Sequence, residues 1–167
     1  MTIPPARALA VASRYTRGRV RSSSEVRTYL RRGGLSAEQA AAMVAVCQRR
    51  GWVDDRVCAR LWADHWARRG YAWTAIRRKL AAKGLDEPTI DEAGRALDRA
   101  AGDAQRARAL VQQRGMLSGR GIRRRFGGRP QELGRLARAL AARGYADELI
   151  DEALSAADRS ADDDAGE

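Results

Sequence analysis

Hydrophobic residues recur along the chain at the three- and four-residue spacing of amphipathic helices, most clearly between residues 53 and 97. Two aspartates, Asp54 and Asp55, open this stretch, and Gly70 and Gly84 separate its three apolar stripes. The apolar positions are Cys58, Ala59, Trp62, Ala63 and Trp66 in the first stripe, Trp73, Ile76 and Leu80 in the second, and Ile90, Ala93, Gly94 and Leu97 in the third. The pattern predicts three consecutive helices.

The same pattern occurs twice more. Residues 30–35, 80–85 and 140–145 align without gaps around a glycine, and Ile-Asp-Glu-Ala occurs at both 90–93 and 150–153. A repeat of this length indicates units that bury their apolar faces on their neighbours. The predicted helices are 6–15, 22–32 and 36–50 in the first unit, 54–69, 72–83 and 86–100 in the second, and 103–114, 130–142 and 146–158 in the third. Either Ser22 or Ser23 is expected to cap the helix that follows it, in the manner of a capping box.

These repeats predict an all-α protein with three domains, at 1–51, 52–101 and 102–158. We expect the central repeat, which contains or adjoins all four tryptophans, to be the best packed. The richness in alanine and arginine and the low number of prolines agree with the all-α class. Within the third repeat, 115–130 is a glycine- and arginine-rich segment that we expect to be a mobile loop. This segment lacks the Gly-Lys-Ser/Thr of a phosphate loop. Residues 159–167 form an acidic tail that we expect to be disordered.

Charge is the most informative property of the composition. The formal net charge is +11, divided as +8 for residues 1–50, +2 for 51–100, +7 for 101–150 and −6 for 151–167. A basic body of this kind attracts nucleic acid or an acidic protein surface. No run of about 18 apolar residues occurs and the start of the chain has no signal pattern, so we expect a cytoplasmic protein that does not enter membranes.

Neither catalysis nor a cofactor is predicted. His65 is the single histidine, no metal-ligand spacing or nucleophile motif occurs, and Asp54-Asp55 is explained by helix capping. Cys47 and Cys58 lie on apolar stripes without CxxC spacing, which favours two buried thiols over a disulfide. Residues 73–93 have the length of a helix-turn-helix motif, but the second helix would begin with acidic residues, which have the wrong sign for reading DNA.

The central repeat resembles the RecX family. The matching residues are Asp54-Asp55-Arg56-Val57-Cys58-Ala59-Arg60-Leu61-Trp62-Ala63, then Gly70, Ile76, Leu80 and Lys83-Gly84-Leu85. The segment from Arg19 to Leu30 is similar to the family's opening motif, Arg-x-Arg-Ser-x-x-Glu. The chain departs from the family pattern at Cys58, where an aromatic residue is usual, and in Gly70-Tyr71-Ala72-Trp73, which lacks the family's common Gly-Pro.

The resemblance implies an elongated, curved tandem array of three three-helix repeats that lodges in the helical groove of a filament of RecA recombinase on single-stranded DNA. Such a protein would inhibit strand exchange, ATP hydrolysis and co-protease activity in DNA repair. The expected partners are the RecA filament and single- and double-stranded DNA, and the expected state is a monomer. The candidate contact residues are Arg31, Arg32, Arg49, Arg50, Arg56, Arg60, Arg68, Arg69, Arg77, Arg78, Lys79, Lys83, Arg123, Arg124 and Arg125. Two alternatives remain at this point: a non-specific DNA-binding protein without a recombinase target, and a helical-repeat adaptor for another acidic protein.

Overall fold

The computed structural model describes residues 4–117 and 130–163, and every regular element in these ranges is an α-helix. The predicted all-α class is therefore confirmed. The helices are α1 Pro5–Thr16, α2 Ser23–Arg32, α3 Ala37–Arg49, α4 Asp55–Arg68, α5 Trp73–Ala82, α6 Glu87–Ala100, α7 Asp103–Leu117, α8 Pro130–Ala141 and α9 Asp147–Asp163. Helix α7 continues beyond the predicted end at residue 114 and α9 beyond 158, since no proline interrupts either segment.

Side-chain caps set the start of several helices. Ser22 and Glu25 form a reciprocal capping box at α2, which places the cap at Ser22 rather than Ser23. Asp54 Oδ1 accepts a hydrogen bond from Val57 N at 3.0 Å at the start of α4, and Asp86 Oδ1 accepts one from Thr89 N at 3.1 Å at the start of α6. Each cap satisfies a backbone donor that the helix itself leaves unpaired.

The predicted repeat is visible in the turns that end α2, α5 and α8. A glycine in the left-handed region closes each turn, and its N–H bonds the carbonyl oxygen three residues earlier, at 3.0 Å for Gly34, 2.8 Å for Gly84 and 2.9 Å for Gly144. The leucine four residues before each glycine is buried. The equivalent buried residues are Leu30, Leu80 and Leu140, followed by Leu35, Leu85 and Tyr145, then Ala40, Ile90 and Ile150, and finally Cys47, Leu97 and Ala157.

The chain separates into two compact units. Unit 1 comprises Met1–Asp64 and Arg77–Ala96, and unit 2 comprises His65–Ile76 and Leu97–Glu167, so α4, α5 and α6 each contribute residues to both. The core of unit 1 includes Ala8, Ala12, Val26, Leu30, Leu35, Ala40, Met43, Val44, Cys47 and Val53. The core of unit 2 includes Ala72, Ala107, Val111, Leu140, Tyr145, Ile150, Ala153 and Ala157. Both cores contain the buried residues that are equivalent in the repeat: Leu30, Leu35, Ala40 and Cys47 in unit 1, and Leu140, Tyr145, Ile150 and Ala157 in unit 2.

The two cysteines are free and buried, as predicted. Burial raises the pKa of the Cys58 thiol to about 12, with the charge of Glu25 as a smaller cause, and burial also raises the pKa of Cys47. Among the described residues, no helix combines the length and the apolar character needed to cross a membrane.

Candidate functional site

Most of the basic residues singled out in the sequence are exposed to solvent. The exposed ones are Arg31, Arg32, Arg49, Arg50, Arg56, Arg60, Arg68, Arg69, Arg77 and Arg78. Lys79 and Lys83 are partly buried, and Arg123, Arg124 and Arg125 lie outside the described residues. Among the described members of this set, Arg68 and Arg69 belong to unit 2 and all the others to unit 1.

Lys83 is a structural member of unit 1. Its Nζ lies 2.9 Å from Glu25 Oε1 and 4.1 Å from the centre of the Trp62 ring, and its side chain is 16% exposed. Its carbonyl oxygen accepts a hydrogen bond from Ser22 Oγ at 2.6 Å. This lysine therefore links the start of α2 to the end of α5, and much of its charge is neutralised inside the unit.

Asp55 is part of the same junction. Its Oδ1 accepts a hydrogen bond from Ser23 N at 2.8 Å, so it caps α2 and not its own helix α4, for which Asp54 is the cap. Gln48 Nε2 also donates to Ser23 Oγ at 3.0 Å. The adjacent aspartates that the sequence assigns to a single helix start therefore serve two different helices.

Carboxylates accompany two of the exposed arginines in unit 1. Arg56 Nε lies 3.4 Å from Glu92 Oε2, and Arg77 donates to Glu87 and lies 3.9 Å from Asp91 Oδ1. The Glu87 hydrogen bond raises the pKa of Arg77. These are exposed pairs, which solvent screens, so both guanidinium groups can exchange their partner for an external anion.

Exposed apolar residues lie beside the arginines on α4. Val57 is 39% exposed and Leu61, one turn later, is 49% exposed, while Arg60 lies between them in the sequence. Residues four apart share one side of a helix. We call this surface, formed by Val57, Arg60 and Leu61, the α4 face.

The junction of unit 1 has a counterpart in unit 2. Ala72 N donates to Arg143 O at 3.0 Å, and Asp103 accepts a hydrogen bond from Trp73 N at 2.9 Å to Oδ1. Ala72, Trp73 and Arg143 occupy the repeat positions of Ser22, Ser23 and Lys83. In each unit, an aspartate at the start of one helix caps another helix that lies earlier in the chain.

A cleft of about 660 Å³ lies beside this second junction, within unit 2. Four arginines contribute to its lining: Arg68, Arg69, Arg106 and Arg143. We call it the arginine cleft. Arg106 and Arg143 were not among the candidate residues, and the only signal for them in the sequence is that Arg143 aligns with Lys83.

Other chemically notable groups occupy structural positions. Tyr15 and Tyr29 stack with ring centres 3.9 Å apart, and the Arg21 guanidinium lies 4.6 Å from the centre of the Tyr15 ring. His65 is exposed and meets the edge of Trp66 at 6.4 Å between ring centres. Within 4–117 and 130–163, no three histidine, cysteine or acidic side chains are grouped closely enough to hold a metal ion.

Comparisons with known proteins agree with the sequence motifs. Residues 54–93 match the family described as RecX, second three-helix domain. The regulatory protein RecX of Pectobacterium atrosepticum is 38% identical over 58 residues, which cover 35% of this chain and 36% of that protein. The RecX of Amycolatopsis mediterranei is 33% identical over 97 residues, covering 58% of this chain and 55% of that protein. The matched regions thus span only about a third to a half of these relatives.

Solved structures agree on the fold. The crystal structure of RecX from Lactobacillus salivarius superposes with a TM-score of 0.72 at 14% identity, over 92% of this chain and 96% of that one. A second crystal structure of a regulatory protein RecX gives a TM-score of 0.66 at 18% identity, over 90% of this chain and 73% of that one. The family match at 54–93 and the two curated relatives thus show that parts of this chain are similar to RecX regulatory proteins, and the solved structures show that it shares their fold.

Proposed function

We propose that this protein regulates homologous recombination by binding the RecA–single-stranded DNA filament in its helical groove and inhibiting the recombinase, ATPase and co-protease activities. The observation that carries the proposal is the match of residues 54–93 to the second three-helix domain of RecX. In this proposal the protein acts by binding alone. It uses no cofactor and performs no chemistry of its own.

The distribution of charge supports a polyanionic target. The net charge is +11, and the exposed arginines occur on α2, α3, α4 and α5. A filament that contains single-stranded DNA carries closely spaced phosphates, toward which such a surface is steered electrostatically. We assign the first contacts to the exposed arginines of the candidate set, whereas Lys83 contributes mainly through the junction that it stabilises.

The α4 face supports a protein component in the target. DNA binding by phosphate contacts alone has no use for exposed Val57 and Leu61, but interfaces between proteins combine apolar side chains with arginine. The face also lies within the segment that matches the family domain. We therefore assign recognition of the recombinase to Val57, Arg60 and Leu61.

The test is ATP hydrolysis by RecA on single-stranded DNA, with this protein added well below the RecA concentration. Inhibition at that ratio supports a filament target, because sequestration of bare DNA requires protein in proportion to the DNA. Inhibition that begins only when the protein saturates the DNA would contradict the proposal. That result would favour a non-specific DNA-binding protein.

A matched pair of variants makes the same assay specific for the α4 face. Val57→Ala and Val20→Ala are the same chemical change at positions of 39% and 38% exposure, and both residues belong to unit 1. Val57→Ala is expected to raise the half-inhibitory concentration about three- to tenfold, since an apolar contact contributes about 0.8 kcal/mol per buried methylene. Val20→Ala should leave it unchanged, and neither should alter binding to bare DNA. Equal inhibition by the two variants would remove the α4 face from the proposal.

A further inference from the structure

The arginine cleft of unit 2 has the composition of an anion site. The end of α4 supplies Arg68 and Arg69, both exposed, and α7 and the turn after α8 supply Arg106 and Arg143. No carboxylate is among the residues that line the cleft. Four guanidinium groups therefore line one concave space, and the carboxylate that pairs with one of them, Asp103 beside Arg106, is not among the lining residues.

Arg106 is held in a fixed position at the wall of the cleft. Its side chain is only 7% exposed and is held by Asp103 and by the carbonyl oxygen of Ala101. Its Nε is buried and has no hydrogen-bond partner in the part of the chain that the structure describes. A buried guanidinium donor left in this state is costly, and an anion that enters the cleft would reduce the cost.

Comparison of the two junctions explains why the cleft is cationic. In unit 1 Glu25 pairs with Lys83, and in the repeat alignment Ala75 replaces Glu25 and Arg143 replaces Lys83. A Cβ on Gly144 would lie 2.9 Å from the Cβ of Ala75, so the alanine packs tightly against the turn. Arg143 consequently forms no ion pair with any described carboxylate, and its Nε is buried without a partner there.

We propose that the arginine cleft binds a phosphate group of a nucleotide. Guanidinium groups bind phosphate oxygens in paired hydrogen bonds, and a group of them suits an anion with several oxygens better than a single carboxylate. The volume, about 660 Å³, exceeds the space that a phosphate alone requires and leaves room for the attached nucleoside. One aromatic residue, Tyr71, also lines the cleft.

The phosphate comes from one of two sources, single-stranded nucleic acid or a free nucleoside triphosphate. In either case the inference goes beyond the proposed function, because it concerns the isolated protein. The test of this inference contains no recombinase, so a negative result would leave the proposed binding to the RecA filament untouched.

The experiment measures binding of fluorescein-labelled oligo(dT), and separately of ATP, to the full chain by fluorescence anisotropy and calorimetry. The charge-removing variant is Arg68→Ala combined with Arg69→Ala. Its control is Arg14→Ala combined with Arg17→Ala, which removes the same charge from exposed positions of unit 1. For whichever of the two ligands binds, we expect the cleft variant to weaken the affinity about tenfold or more and the control variant to weaken it less than about twofold.

A third variant, Arg143→Lys, keeps the net charge and replaces the planar guanidinium group, which can donate two parallel hydrogen bonds, by a single ammonium group. It is expected to weaken binding of the same ligand about tenfold, which general electrostatics cannot produce. For oligo(dT), the double cleft variant should also reduce the salt slope by about 0.7 for each phosphate that the protein no longer neutralises. Thermal unfolding followed by circular dichroism identifies any variant that fails to fold.

Each outcome is informative. Selective loss of oligo(dT) binding assigns the cleft to single-stranded nucleic acid, and selective loss of ATP binding assigns it to a free nucleotide. Equal binding of both ligands by the folded cleft variants and the control would overturn the proposal, as would the absence of measurable binding of either ligand to the unaltered protein.

Discussion

Gly84 offers the most direct test of how the repeats are joined. It closes the turn after α5 with φ +72°, and a Cβ at this position would lie 2.2 Å from Ser24 Oγ and 2.4 Å from Ser24 Cβ. Gly84→Ala therefore adds two costs. The left-handed backbone costs an alanine about 1–2 kcal/mol, and forcing a methyl group into a filled space costs about 1–3 kcal/mol. The expected loss of stability is about 2–5 kcal/mol.

Gly51 is the matched control in the same unit. It has φ +68°, but no atom lies within 4 Å of a Cβ built there. Gly51→Ala should therefore show the backbone cost alone, about 1–2 kcal/mol. For a chain of this size, about 2–4 °C of melting temperature corresponds to each kcal/mol, so we expect losses of about 2–8 °C for Gly51→Ala and about 4–20 °C for Gly84→Ala.

The assay is urea and thermal unfolding followed by circular dichroism, with Ser24→Gly as a third variant. Ser24→Gly removes both atoms that the new methyl group would meet, so in its background the cost of Gly84→Ala should fall to that of Gly51→Ala. The double-mutant cycle measures this coupling directly. If Gly84→Ala is no more destabilising than Gly51→Ala, or if Ser24→Gly gives no relief, the close approach of these two helix ends does not contribute to stability.

Two further predictions follow from burial. Leu80 is 0% exposed, so Leu80→Ala should lower the free energy of unfolding by about 2–5 kcal/mol. Leu61 is 49% exposed, so Leu61→Ala should change it by no more than about 0.5 kcal/mol. Equal melting temperatures of the two variants would show that Leu80 is not part of the core. Burial raises the pKa of Cys58 to about 12, so the folded protein should resist thiol reagents at pH 8 and react once unfolded. Because the unfolded thiol ionises first, this group should make stability fall as the pH rises from about 9 towards 12, and a pH titration of urea midpoints checks this.

The helices could be predicted from the sequence because their signals are local. Apolar spacing identified the faces that became the cores, and the glycines at 34, 84 and 144 marked turns that all adopt the left-handed backbone. The capping residues Ser22 and Asp54 act on backbone groups within three positions. Neighbours this close along the chain meet in any fold that contains the helix, so no tertiary information was needed.

The partners of the polar residues could not be predicted in this way. Lys83 pairs with Glu25, 58 positions away, and Asp55 caps Ser23, 32 positions away. The sequence indicated a basic surface, but it placed Lys83 and Arg77 in the same set of candidate residues for contact with the partner. Solvent exposure and the position of the nearest carboxylate distinguish these two residues, and both depend on how helices pack.

By itself the sequence determined an all-helical chain of repeated units, a strongly basic body and, through its motifs, a resemblance to the RecX family. Only the tertiary structure decided which charges are neutralised within a unit and which remain available to a ligand. Four arginines from three separate segments line one cleft: Arg68 and Arg69, Arg106, and Arg143. The replacement of Glu25 by Ala75 at the equivalent repeat position leaves Arg143 without an ion pair to any described carboxylate. Helix formation follows from interactions a few residues long, whereas the electrostatic character of a cleft is the sum of charges that only packing brings together.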